Sequence, residues 1–130
     1  MKVLIVDNSE QTLLALKQTF YDGPCQTAYV DNGKHALKAL SQHKFDVIIS
    51  VLALGKVSGV ELLKAISAKY PAMIRVAITN KDDVVRKLAN QASNICHYTF
   101  AHPLNIGHIH QTISSISDNN KAITKNHIIK

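Results

Sequence analysis

Val47-Ile48-Ile49-Ser50-Val51-Leu52 decides the fold. A run this short and this apolar has the length of a strand, and its lack of polar alternation marks a strand covered on both faces. It should lie at the centre of a sheet. The same signature recurs at Val3-Leu4-Ile5-Val6, which stops at Asp7-Asn8-Ser9. Met73 to Ile78 reads as a further strand. Two outer segments, Cys25 to Val30 and Cys96 to Phe100, are more mixed. Gln26, Thr27 and Tyr29 give the first of them the polarity of a sheet edge, and the second is placed at the other edge.

Helical signals fill the intervals. Ser9 is a candidate N-cap for a helix with Leu13, Leu16 and Phe20 on one face, and Asp22-Gly23-Pro24 stops it. Asp31-Asn32-Gly33 turns into a helix carrying Ala36, Leu37 and Leu40. After a loop with Gly55, Ser58-Gly59-Val60-Glu61 fits a capping box for a helix holding Leu62, Leu63 and Ile66, with Pro71 just past its end. Asn80 can cap a fourth helix through Val84, Val85 and Leu88. Asn105 caps a last one whose Ile106, Ile109, Ile113 and Ile116 form a single stripe.

Strands alternating with helices imply a parallel sheet with helices on both faces, an α/β domain over residues 1–117. Residues 118–130 turn polar and read as a helix extension or a linker. In such sheets a site lies beyond the carboxyl ends of the strands, where the winding reverses. The residues to read there are Asp7, Asn8, Val51, Thr79 and His102.

Composition narrows the classes. The chain has 130 residues, 46% hydrophobic and 18% charged, which suits one globular domain and not a disordered one. No apolar run approaches the ~18 residues of a membrane span, and the start is too short in apolar residues for a secretory signal. Cys25 and Cys96 are its only cysteines and fall on opposite edge strands, too far apart to pair, so a reducing cytoplasm is the expected setting. Fifteen Lys and Arg against nine Asp and Glu give a net charge of +6. The cations are dispersed and aromatics are 5%, so no stacking surface for nucleic acid is expected, and a basic nucleic-acid-binding module is the lesser alternative. His97, His102, His108 and His110 invite a metal reading. Positions 108 and 110 lie roughly 200° apart on a helix, and the spacing matches no zinc pattern, so surface histidines and no cofactor are expected.

Val3-Leu4-Ile5-Val6-Asp7-Asn8, Asp46-Val47-Ile48-Ile49-Ser50, Ser58-Gly59-Val60-Glu61-Leu62-Leu63, Arg75-Val76-Ala77-Ile78-Thr79 and His102-Pro103, in this order and spacing, resemble the receiver domain of bacterial two-component response regulators. The segments around Tyr70-Pro71 and Thr79 are most similar to receivers fused to HD-type output domains. The resemblance implies a flavodoxin-like three-layer sandwich with a five-stranded parallel sheet in the order 2-1-3-4-5. It also implies aspartyl phosphorylation: an acidic pair after strand 1 and an aspartate ending strand 3 hold Mg²⁺, and that aspartate takes a phosphoryl group from a histidine kinase. A hydroxyl after strand 4 and a lysine after strand 5 contact the phosphoryl oxygens. Such transfer is mostly positioning and charge neutralisation by hard oxygen ligands and a point charge.

This chain departs from that pattern where the chemistry sits. The acceptor position is Val51, which has no nucleophile. The acidic pair is reduced to Asp7 and Asn8, and the lysine position is His102. Asp7, Gly59, Thr79 and Pro103 remain. Asp7 is expected to cap the next helix or to meet His102, a pair that would titrate near neutral pH; Thr79 is expected to satisfy a loop amide. Ser50, on the opposite face of its strand, is a poor substitute acceptor.

In the family, signals leave through the face of helix 4, strand 5 and helix 5, helped by an aromatic three positions before the lysine. That position here is Thr99, between Tyr98 and Phe100. The corresponding face would carry Lys81, Arg86, Lys87, Tyr98 and Ile109, with His97, His108 and His110 near by. The resemblance thus implies a non-enzymatic, degenerate receiver that binds a protein partner, a second copy or a downstream output domain without being phosphorylated. A receiver phosphorylated at a non-standard residue is the alternative.

Overall fold

Residues 1–20, 26–52, 59–79, 95–101, 105 and 107–116 are described by the structure, a computed structural model. Strands β1 (Lys2–Val6), β2 (Gln26–Val30), β3 (Val47–Val51), β4 (Ile74–Thr79) and β5 (Tyr98–Ala101) form one parallel sheet in the order β2-β1-β3-β4-β5. The expected flavodoxin-like α/β architecture is therefore present. Consecutive residues Val3 to Val6 and Val47 to Ile49 are all fully buried. Neighbours on a strand point to opposite faces, so both faces of the sheet are covered. The chain moves from β1 out to β2, then back across β1 to β3 and on to β4. With right-handed crossovers, that reversal puts α1 (Glu10–Phe20) on one face and α2 (Gly33–Gln42) and α3 (Gly59–Lys69) on the other. A further helix covers 107–116.

Local signals explain where the helices start. The Ser9 carbonyl accepts the Leu13 N–H at 3.0 Å. Asn32 caps α2, its side chain accepting the His35 N–H at 2.8 Å, and Asn105 does the same for the His108 N–H at 3.0 Å. Leu16, Val60, Leu62, Leu63 and Ile66 pack into the core, each worth about 1.5–3 kcal/mol for full burial. Ile109, Ile113 and Ile116 line one buried stripe of the 107–116 helix, at i, i+4 and i+7.

Several expectations need correction. Leu37 is 41% exposed and does not share the buried face of Ala36 and Leu40. One step along a helix turns a side chain by about 100°, so only the residues four apart stay together. Met73 belongs to a turn, its N–H donating to the Tyr70 carbonyl at 3.1 Å, and β4 runs one residue further, to Thr79. β5 begins at Tyr98, after Cys96 and His97. The reason is chemical: the Arg75 N–H donates to Nδ1 of His97 at 3.0 Å, so an imidazole takes the place a strand carbonyl would hold. The helix expected from Asn80, residues 21–25 and 53–58, Ile106 and residues 117–130 lie outside the described residues.

Candidate functional site

β1, β3 and β4 lie side by side, so their carboxyl ends converge. Val6 is in register with Ser50, and Val51 with Ile78. Asp7 therefore stands one step beyond β1 beside Val51, and Thr79 ends the next strand. Three of the five expected pocket residues, Asp7, Val51 and Thr79, are thus brought to one place, with exposed Asn8 at the mouth. His102 lies outside the described residues.

Asp7 is 2% exposed. Its N–H continues the ladder to the Val30 carbonyl at 3.1 Å, and its Oδ1 accepts the Ser9 N–H at 2.8 Å. A carboxylate bonded to the amide two residues on is an Asx turn, which bends the chain from β1 into α1. This bond precedes α1, whose cap position is Ser9, so it turns the chain toward the helix and is not itself a helix cap. Val51 is 8% exposed and belongs to the hydrophobic core cluster. The Leu52 N–H reaches the Ile78 carbonyl at 3.0 Å, and the Gly59 N–H reaches the Leu52 carbonyl at 2.8 Å. A Cβ on Gly59 would overlap the Val51 carbonyl oxygen and come 2.6 Å from Leu52 Cα. The first turn of α3 therefore sits directly on the end of β3, and only glycine permits that approach.

Ser50 is fully buried, and its Oγ donates to the Val51 carbonyl at 2.9 Å. Among the described residues, the Thr79 Oγ1 makes one long contact, 3.5 Å, donating to the Phe100 carbonyl of β5, and the loop that follows β4 lies outside them. Among the described residues, the side chains at the strand ends are therefore one carboxylate whose Oδ1 accepts from Ser9, an exposed amide, the Thr79 hydroxyl and a buried isopropyl group. Magnesium demands hard oxygen ligands in near-octahedral array. These residues do not fit it.

The lateral face around β5 is only partly described. Tyr98 is 41% exposed, and Phe100 and His108 meet edge to face with ring centroids 5.3 Å apart. Ile109 is fully buried in the core and cannot belong to an interaction surface. It lies on the apolar stripe that anchors its helix, as the period of the isoleucines requires. Lys81, Arg86 and Lys87 lie outside the described residues.

A functional-looking residue that was read only as part of a strand is Arg75. It is buried at the start of β4, and its Nε donates to the Ile95 carbonyl at 2.6 Å. Its Nη1 donates to the carbonyls of Met73 at 2.9 Å and Pro71 at 3.3 Å. The guanidinium ties the β4 entry to the β5 entry. The signal for it was a lone charge inside an apolar run. Its charge and, first, partial burial hold the His97 pKa below the usual 6.5. Burial, only partly offset by the same arginine, pushes the Cys96 thiol up to about 11.

Comparison with known proteins adds the following. The family model for the response regulator receiver domain matches residues 3–114. A search of curated proteins found no match. Among solved structures, the chain is similar to the signal receiver domain of an HD domain-containing protein from Pseudomonas fluorescens Pf-5, with TM-score 0.84 and 23% identity over 95% of this chain and 91% of that one. It is also similar to a CheY-like receiver domain protein from Methanospirillum hungatei JF-1, with TM-score 0.83 and 18% identity over 93% and 96%. NtrX from Brucella abortus matches with TM-score 0.82 and 14% identity over 99% of this chain but 29% of its own length. At these identities the likeness is one of fold.

Proposed function

The chain belongs to the response regulator receiver domain family, and from that premise we propose that it is a degenerate receiver, one that serves two-component signalling as a protein-interaction module without accepting a phosphoryl group. The observation that carries this reading is Val51. It ends β3 beside Asp7, where the family's pattern has the acceptor aspartate, and an isopropyl group cannot form an acyl phosphate. The neighbouring hydroxyl of Ser50 is buried and already donates to a carbonyl, which disfavours a substitute acceptor. With one carboxylate, the site also lacks the charge that would bind magnesium.

Without phosphorylation, the working part is a surface. The reading assigns it to the face of the helix expected from Asn80, β5 and the 107–116 helix, with Lys81, Arg86, Lys87 and Tyr98 as its cationic and aromatic contacts. The partner is an acidic protein surface, a second copy or an output domain.

The test is incubation with acetyl phosphate and magnesium, followed by intact-mass and peptide mass spectrometry. The expected result is no phosphoryl adduct. A stoichiometric adduct at any residue would replace this reading with a receiver that uses a non-standard acceptor.

A further inference from the structure

The amino ends of the strands, opposite Asp7 and Val51, carry a recess. A cleft of about 450 Å³ lies between the segment that joins α2 to β3 and the turn that joins α3 to β4. Leu40, Phe45, Met73 and Ile74 supply its apolar lining, and Tyr70 and Pro71 form one wall. Beside it is a smaller hollow of about 240 Å³ over the start of β2, lined by Gln26, Thr27 and Ala28. His43 and Phe45 line both recesses and make the ridge between them.

We propose that this pair of hollows docks an extended, acidic segment of a partner protein, with an apolar side chain seated on each side of the Phe45 ridge.

Three observations carry it. The first is shape. The hollows run across β2, β1, β3 and β4, three strand spacings or roughly 14 Å. That is about the length of four extended residues, whose alternate side chains project to one side ~7 Å apart. A compact ligand would fill one hollow and leave the ridge bare. The second is charge. His43, Lys44 and Lys2 line the recesses, and the Lys69 ammonium lies 5.7 Å from the Tyr70 ring at the wall. Among the described lining residues the one acid is Asp46, and its Oδ2 already accepts the Lys2 N–H at 2.8 Å. The recess therefore suits carboxylates, and the rim cations would speed and orient their approach. The third is backbone saturation. Asp46 N–H donates to the Lys2 carbonyl, Ile74 N–H to the Asp46 carbonyl, and Gln26 N–H to the Met1 carbonyl, at 2.8, 3.0 and 2.9 Å. These main-chain groups are taken, so the segment is held by its side chains and not by strand addition.

The test is an amide NMR titration of the whole chain with a blocked peptide alternating glutamate and leucine. Shifts should concentrate at residues 43–46 and 70–74. Replacing the peptide's glutamates by lysine, or its leucines by serine, should weaken binding by about tenfold or more. Lys44→Glu and Ala72→Glu, both at exposed positions, should do the same while leaving the amides around Asp7 in place. Equal binding of the lysine peptide, shifts centred elsewhere, or no binding would overturn the proposal. So would octanoate reproducing the peptide's shifts, since that would mean a compact anion. None of these outcomes bears on Val51 or on phosphorylation, so the proposed function stands or falls separately.

Discussion

A carboxylate placed at position 51 would share the strand ends with Asp7. Two such groups repel, and one would be held protonated by its neighbour. Val51 is also packed in the core, so Val51→Asp removes apolar contacts and buries a poorly compensated polar group. The expected loss is about 1–3 kcal/mol, read as a lower melting temperature. Adding Asn8→Asp and His102→Lys to this change should restore a dependence on magnesium, which the natural chain should lack. A triple variant indifferent to magnesium would show that the recess no longer has room for the ion. A second residue with a readable consequence is His97. Its Nδ1 accepts the Arg75 N–H, which requires the neutral ring, and its pKa lies below the usual 6.5. Below that value the unfolded chain therefore takes up the proton more readily than the folded one. The contribution of His97 is present above pH ~6.5 and is lost as pH falls through the lower, folded pKa. Urea unfolding of the natural chain and His97→Gln should diverge near neutral pH and converge in acid. Parallel pH profiles would remove the imidazole from the account.

At the scale of elements, α3 is held by contact with the strand it follows. Gly59 has no room for a methyl group between Val51 and Leu52, both of which oppose it with backbone atoms. Alanine in a helix gains about 0.5–1 kcal/mol over glycine, whereas forcing a backbone shift in packed structure costs about 1–3 kcal/mol. Gly59→Ala should therefore destabilise on balance, and should do so by lifting α3 from the end of β3. Denaturant melts and amide exchange of α3 would check it; a stabilised variant would mean that the helix slides at little cost. The β4–β5 junction is tied differently, by one guanidinium bonded to three carbonyls. The apolar run from Met73 to Ile78 predicts a strand to within one residue at each end, yet nothing in the run says that Arg75 faces Ile95. That contact joins positions 20 residues apart and exists only after the strands are set side by side.

Over the whole molecule, the polar features divide between two ends and one flank. The strand carboxyl ends hold Asp7, Val51 and Thr79, the amino ends hold the cleft around Phe45, and the β5 flank is the proposed signalling face. A net charge of +6 favours acidic partners at each of them and makes association sensitive to salt. If the β5 flank mediates assembly, Arg86→Glu should shift the sedimentation of a homodimer or weaken a partner complex several-fold. Lys64→Glu, at an exposed position of α3, should leave both unchanged. Equal effects of the two changes would indicate a general electrostatic response and not a defined surface. Among the described residues no helix is long and apolar enough to cross a membrane.

Hydrophobic period and punctuation determined the sheet, its parallel sense and its polar edges, because a strand covered on both faces must be apolar at every position and an edge need not be. Asn105 announced its helix because capping is a contact within four residues, settled before any packing. That Val51 carries no nucleophile is likewise legible, since the identity of a side chain needs no fold. Other matters waited for tertiary structure. Leu37 and Leu40 are equally apolar, and which one is buried depends on where the sheet lies against α2. Ile109 could have faced a partner or the core until the 107–116 helix was laid down. Arg75, the His97 imidazole and the cleft at the strand amino ends are products of residues distant in sequence. Each depends on distances that only the folded chain defines.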